Sequence, residues 1–252
     1  MPTPWKALLL TLIFPVVLVV GACQSAAPEK KDAQYYFLKG EESFEDHDYE
    51  EAIKDLEKVR DSFYSPELTA LADLKIADSY YYDEKYVEAA AAYEDFLKQH
   101  PAHPQTARVI YQLGMSYFQQ RLSPDRDQTD TLKALETFRR LKKEFPAAPQ
   151  TNGIDKKITD CLNLLAEHEC YVGNFYLRTE QYDAAIGRLS ALIKNYPHFP
   201  ELDKAYYLLA QSYQDSGQND KAIEIYQLLS RNYPSTDYGE DAQDELNDLS
   251  SH

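Results

Sequence analysis

Residues 77–101 read ADSYYYDEKYVEAAAAYEDFLKQHP, and the spacing within them decides the architecture. Small Ala77 is followed twelve positions later by Ala89, then by Tyr93 and Phe96, and Pro101 closes the run. A small side chain lets a second helix approach closely, and an alanine on the facing helix does the same from the other side. The larger residues that follow then pack onto the next pair of helices. Proline ends the second helix, because it lacks the N–H and its ring collides with the preceding turn.

The same register recurs with its origin at Gly40, Gly114, Gly173 and Ala210. The alanines of those units are Ala52, Ala185 and Ala222, with Ala134 eight places late in the third. The large residues are Leu56, Phe138, Leu189 and Tyr226, followed by Val59, Leu141, Leu192 and Leu229; prolines close the later units at Pro146, Pro197 and Pro234. Position after position this resembles the tetratricopeptide repeat. The implied fold is all-α, with five helical hairpins in a superhelical solenoid running from Ala33 to the C-terminus. Units repeat every 37 residues except at the third-to-fourth step. There the third hairpin carries an insertion, Leu122 to Thr129, and the fourth opens with a long helix from about Asn152 to Arg178, roughly 40 Å at 1.5 Å per residue. Two sub-bundles joined by that long shared helix are therefore expected, residues 33–149 holding repeats one to three and residues 150–252 repeats four and five.

The N-terminus is a separate object. After Lys6 an uncharged run extends from Ala7 to Val20, the length of a signal-peptide core and short for a bilayer span. It ends in Gly21-Ala22-Cys23, which resembles a lipoprotein cleavage box. Residues 1–22 are then a lipoprotein signal peptide, Cys23 the acylated first residue, and residues 23–32 a short polar tether. Gln24 after the Cys, in place of Asp, implies export to the outer membrane with the chain facing the periplasm. An ordinary secretory signal with a chance Cys is the competing reading.

The net charge of −16 excludes nucleic acid as a partner, because phosphate binding requires a basic face. It also leaves the lipid anchor as the membrane contact. Twenty-one Tyr and ten Phe against eight Gly suit helices with aromatic ridges. Cys161 and Cys170 lie nine residues apart on one helix, roughly 13 Å and out of disulfide reach. Catalytic spacings of the Gly-x-Ser-x-Gly or His-Glu-x-x-His kind are absent from the sequence. His100 and His103 sit in a solvated turn. We expect no enzyme activity, no metal and no cofactor.

In a repeat array of this kind the first helix of each hairpin lines a concave groove. Counted from the small residue, the wall of the first three units is Phe37, Phe44, Leu74, Tyr81, Tyr82, Tyr111, Met115 and Phe118, edged by Glu41, Glu45 and Asp78. Such a trough fits an extended peptide carrying aromatic residues; packing of these rings against loops or the tether is the alternative.

Three local strings narrow the resemblance. They are DRDQT at 125–129, LAEHE at 165–169 with YVGNFY at 171–176, and AAIGRL at 184–189 with NYP at 195–197. Together with the cleavage box they resemble the BamD family of outer-membrane lipoproteins. That resemblance implies a scaffold of the β-barrel assembly machinery. In it the C-terminal repeats hold the periplasmic POTRA region of a BamA-like barrel protein and accessory lipoproteins. The N-terminal repeats receive targeting segments of unfolded outer-membrane proteins. It also implies BamA contact at Arg188, for which an internal buried ion pair is the rival role. A pilotin-like or cell-division lipoprotein keeps the architecture with another client, and an envelope hydrolase is the most distant alternative.

Overall fold

A computed structural model of the chain describes Met1, residues 31–62 and residues 66–250. Asp32–His252 forms one compact unit. Among the described residues there are eleven α-helices: α1 Ala33–Glu45, α2 Tyr49–Ser62, α3 Pro66–Tyr82, α4 Tyr86–Gln99, α5 Thr106–Gln119, α6 Thr129–Glu144, α7 Ile154–Arg178, α8 Tyr182–Asn195, α9 Leu202–Asp215, α10 Asn219–Asn232 and α11 Asp237–Ser250. A 3-10 turn, Pro149–Thr151, precedes α7. Consecutive helices pack antiparallel in chain order, and α1 with α3, α7 with α9, and α9 with α11 also touch. First helices of neighbouring hairpins therefore lie side by side and make one wall.

The small-against-large logic of the repeat is realised in the contacts. A methyl added at Gly114 would stand 2.5 Å from the ring of Phe138, which is fully buried. At Gly40 and Gly173 it would meet Leu56 and Leu189, each at 2.7 Å. Every unit places an alanine of 0% exposure twelve residues after the small residue, or twenty in the third. The residue before each closing proline, His100, Phe145, Tyr196 or Tyr233, leaves helical geometry while its N–H still bonds the carbonyl four back.

Hairpins one, two, four and five turn through a single left-handed residue: His47 (φ 63°), Glu84 (58°), Glu180 (59°) and Gly217 (78°). Each lies seven places after its small residue. In each case the next N–H reaches back to the carbonyl five residues earlier, as from Lys85 to Tyr80 at 2.9 Å. The third hairpin has no such residue and uses its insertion instead. Buried Gln128 donates from Nε2 to the carbonyls of Ser123 (2.9 Å) and Arg126 (3.1 Å) and accepts from the Thr131 hydroxyl (2.8 Å). The Thr129 N–H donates to Asp127 at 2.9 Å, which caps α6. His168 on α7 holds the insertion at the Pro124 carbonyl, 2.7 Å from Nδ1.

Four core clusters follow one another along the stack and share helices at each join. The expected division into two sub-bundles is not marked by a gap, since α7 gives Ile154, Cys161 and Leu165 to one cluster and Ala166, Cys170 and Leu177 to the next. That helix starts two residues later than its periodicity indicates, because Gly153 takes a left-handed φ of 74° after the 3-10 turn. Beyond the fifth hairpin a further helix, α11, lays Tyr238, Ala242, Leu246 and Leu249 over α10. Cys161 and Cys170 are buried free thiols, and burial pushes each up to about 11.

Candidate functional site

The wall read from the sequence divides once burial is known. Phe37 and Leu74, at 8% and 5% exposure, belong to the core and present no ring or branch to a ligand. Their neighbours make an accessible aromatic cluster. Phe44 meets Tyr49 edge-on at 5.4 Å and Tyr82 at 5.7 Å, Tyr49 stacks on Tyr82 at 6.3 Å, and Tyr81 meets Tyr82 and Tyr86 at 5.5 Å each. Tyr82 is half exposed and Val87 beside Tyr86 two-thirds exposed. Tyr49 and Tyr86 come from second helices, which a count along first helices cannot reach. Both follow the left-handed turn residue by two positions, and that spacing is the signal that could have found them.

The acidic edges are largely neutralised within the protein. Lys75 lies 4.5 Å from the Phe44 ring centre and 3.4 Å from Glu41. Buried Asp78 accepts from Arg108 Nη2 at 2.5 Å and from the Tyr93 hydroxyl at 2.6 Å, linking three successive helices. Burial, and next the Asp78 charge, drive the Tyr93 phenol far above its ordinary range, so it stays a donor. What faces outward is aromatic surface flanked by exposed carboxylates, Glu45, Asp46 and Asp48 among them.

Tyr111, Met115 and Phe118 on α5 are partly buried against the same core as Phe138. Phe118 meets Phe138 at 5.9 Å and Tyr111 meets it at 6.5 Å. Two cations sit over the Phe118 ring: Arg121 at 3.3 Å and Lys157 of α7 at 4.7 Å from its centre. The sequence count passed over both, because neither falls at a wall position.

At the other end, Arg188 Nη1 on α8 donates to both carboxylate oxygens of Glu169 on α7, at 3.1 and 2.9 Å. The pair is at the surface, with the arginine side chain 48% exposed, so the buried ion pair weighed for Arg188 is an exposed one. Solvent screens such a pair, and a partner carboxylate can compete for the guanidinium. Tyr171 and Phe175, one helical turn apart on α7, are each half exposed. Cys23 lies outside the described residues. Among the described residues no group of His, Cys, Asp and Glu is placed to hold a metal ion, and no helix is long and apolar enough to cross a membrane.

The chain is similar to several known proteins. The outer membrane protein assembly factor BamD of Rickettsia prowazekii (strain Madrid E) is 28% identical over 235 residues, covering 90% of this chain and 92% of the relative. The protein of that name from Neisseria meningitidis serogroup A is 24% identical over 251 residues, covering 92% and 93%. Among solved structures, the TPR2AB domain of yeast Sti1 in complex with a pHSP90 peptide aligns with TM-score 0.43 at 16% identity, covering 87% of this chain and 86% of that one. The family model for the outer membrane lipoprotein YfiO matches residues 28–228, most of the chain, and the chain belongs to that family.

Proposed function

We propose that the chain is a lipid-anchored scaffold of the outer-membrane β-barrel assembly machinery. Cys23 carries the acyl anchor, and the chain stands on the periplasmic side of the outer membrane. Repeats four and five hold the periplasmic POTRA region of a BamA-like barrel protein, with Arg188 as one contact, and accessory lipoproteins. Repeats one to three receive aromatic-rich targeting segments of unfolded outer-membrane proteins. The scaffold acts by binding and needs no cofactor.

The observation that carries this reading is the partly exposed aromatic cluster of Phe44, Tyr49, Tyr81, Tyr82 and Tyr86 on the hairpin array, beside which Glu41 is paired with Lys75 and Asp78 with Arg108. Rings fixed by edge contacts offer large apolar area at low entropic cost to an extended segment with aromatic side chains at alternate positions. The names of the relatives point the same way.

Two measurements test it. A fluorescein-labelled peptide of alternating polar and aromatic residues is titrated with the mature chain and followed by anisotropy. Trp5, the only tryptophan, lies in the leader and gives no intrinsic signal there. Tyr82→Ala is expected to weaken binding about tenfold, the effect of losing one well-packed aromatic anchor; unchanged binding would remove the trough from the mechanism. A detergent pull-down with a C-terminally tagged chain should recover a barrel protein bearing POTRA repeats, and Arg188→Glu should lose it. Recovery of a secretin or of division proteins in its place would sink the assignment to barrel assembly.

A further inference from the structure

We infer that the groove between the second helices α4 and α6 receives an acidic amphipathic helix of a partner protein, at a surface separate from the aromatic trough. The groove measures about 500 Å³. Half-buried Leu97 of α4 and buried Leu113 and Tyr117 of α5 make its floor. Exposed Lys98 of α4 stands along its rim with Lys133 and Arg140 of α6. Leu113 and Tyr117 are one turn apart and lie on a different side of α5 from Tyr111 and Met115, the trough residues of that helix. Two helices side by side over a third form a bed into which a further helix packs with its apolar stripe downward.

Charge decides which helix. α6 carries five cations, Lys133, Arg139, Arg140, Lys142 and Lys143, against three carboxylates, in a chain of net charge −16. Among the described residues neither Lys98 nor Lys133 has a carboxylate within ion-pair distance, and Arg140 is held by Glu144 of its own helix in an exposed, screened pair. Lys133 stands instead 5.0 Å from the centre of the Tyr117 ring. Of the two carboxylates in the groove, Glu94 accepts the Tyr117 hydroxyl, and Glu136 shares the rim with the three cations. Burial, and next the bond to Glu94, hold the Tyr117 phenol above its ordinary range, so the hydroxyl stays a donor. The neighbouring groove, between α2 and α4, has the opposite rim: Asp73, Glu88 and Asp95 line it against Arg60, which Asp61 already pairs at 2.7 Å. The same bed is repeated with its charges inverted, so one groove admits an acidic helix and the next repels it. A flat anionic lipid surface would meet the rim cations and leave the apolar floor uncovered. A helix with an apolar stripe between rows of carboxylates matches both.

The test uses three fluorescein-labelled peptides held helical by lactam bridges and titrated with the mature chain. The first has a leucine stripe at helical spacing flanked by Glu, and the second the same stripe flanked by Lys. The third has the composition of the first with its leucines scattered around the helix. The first is expected to bind about tenfold more tightly than either of the others, with a preference over the second that shrinks as salt rises. Lys133→Glu combined with Arg140→Glu should weaken the first about tenfold, while Glu88→Lys in the neighbouring groove should leave it within about twofold of the parent. Circular dichroism melts unchanged from the parent confirm that these variants fold. The extended peptide of alternating aromatic residues should not displace the bound helix, which separates this surface from the trough. No binding of the first peptide, equal binding of the first and second, or unchanged binding by the doubly reversed variant overturns the groove. Displacement by the extended aromatic peptide places the helix in the trough and overturns it too. Scattered leucines binding as tightly as the stripe, with retention of the chain on phosphatidylglycerol vesicles, assigns the rim to anionic lipid and likewise overturns it.

Discussion

Hairpin two passes from α3 to α4 in three residues, with Glu84 left-handed at the apex, whereas hairpin three spends Gln120 to Gln128 on the same task and has no residue of positive φ. The short turn satisfies its backbone with hydrogen bonds of its own, from Asp83, Glu84 and Lys85, and reaches the first hairpin through the exposed Lys85–Glu50 pair at 3.2 Å. The long one is organised from within by Gln128 and bound from without by His168 on α7. Hairpins one, two, four and five repeat a local solution, and hairpin three adds a non-local one. Its insertion ties the third hairpin to the fourth at the point where the regular 37-residue step is interrupted. The stack stays continuous across its irregular join because α7 serves the core on both sides, and the insertion adds a brace of its own.

The largest effect expected from probing that contrast is at Gly114. Alanine there gains about 1 kcal/mol of helix propensity. Its methyl would, however, fall 2.5 Å from the ring of Phe138, which is fully enclosed and contacts Tyr111 and Phe118. Overpacking of this kind costs more than the gain, and a net loss of about 2 kcal/mol in urea unfolding is expected. The equivalent changes Gly40→Ala and Gly173→Ala meet the branches of Leu56 and Leu189, which can rotate, and should lose less than half as much. Equal losses at all three would show that ring rigidity does not distinguish hairpin three.

Next is the insertion itself. Gln128→Ala strips partners from the Ser123 and Arg126 carbonyls and from the Thr131 hydroxyl, all of which the glutamine serves from a buried position. About 1.5 kcal/mol of stability should go. Hydrogen exchange should quicken at 120–128, and at the start of α6 where Asp127 caps it. His168→Leu leaves the internal organisation of the insertion intact and removes its tie to α7, worth about 1 kcal/mol. Exchange should then rise in the insertion alone. If His168→Leu instead loosens α8 and α9 as well, the brace also orders the fourth hairpin.

Much of this was legible in the residues, because the repeat writes its contacts into residue size. Gly40, Gly114 and Gly173, the spaced alanines and the closing prolines gave the hairpins and their partners before any coordinates. The position of the insertion was visible too, but not how Gln128 orders it, since a buried amide bonding to carbonyls leaves no periodic trace. The last helix was hidden by composition. Asp237, Glu240, Asp241, Asp244 and Asp248 crowd its sequence, and Tyr238, Ala242, Leu246 and Leu249 at helical spacing are the fainter signal. In the trough, counting along first helices placed Tyr81 and Tyr82 on the wall but also put Phe37 and Leu74 there. Whether a residue at a wall position points outward or into the core depends on the neighbouring hairpin, and that information lies 37 residues away in the sequence.

The smallest effect expected runs in the stabilising direction and belongs to the four short turns. His47, Glu84 and Glu180 hold a left-handed conformation that costs a residue with a Cβ roughly 1 kcal/mol, while Gly217 occupies the equivalent place without strain. Replacing Glu84 by glycine relieves that cost and returns part of it as greater freedom of the unfolded chain, for a net gain of about 0.5 kcal/mol. Glu180→Gly should match it, and Gly217→Ala should lose about 1 kcal/mol by the reverse argument. A glycine at Gln120, where the third hairpin leaves α5, should by contrast destabilise, because φ there is −84° and its amide donates to the Tyr86 and Ser116 carbonyls. Thermal unfolding of the four variants side by side reads the outcome. A gain at Glu84 and Glu180 with losses at Gly217 and Gln120 is what two different ways of closing a hairpin require. A gain at Gln120 would mean that the third hairpin can still close through a left-handed turn and that its insertion is dispensable to the fold.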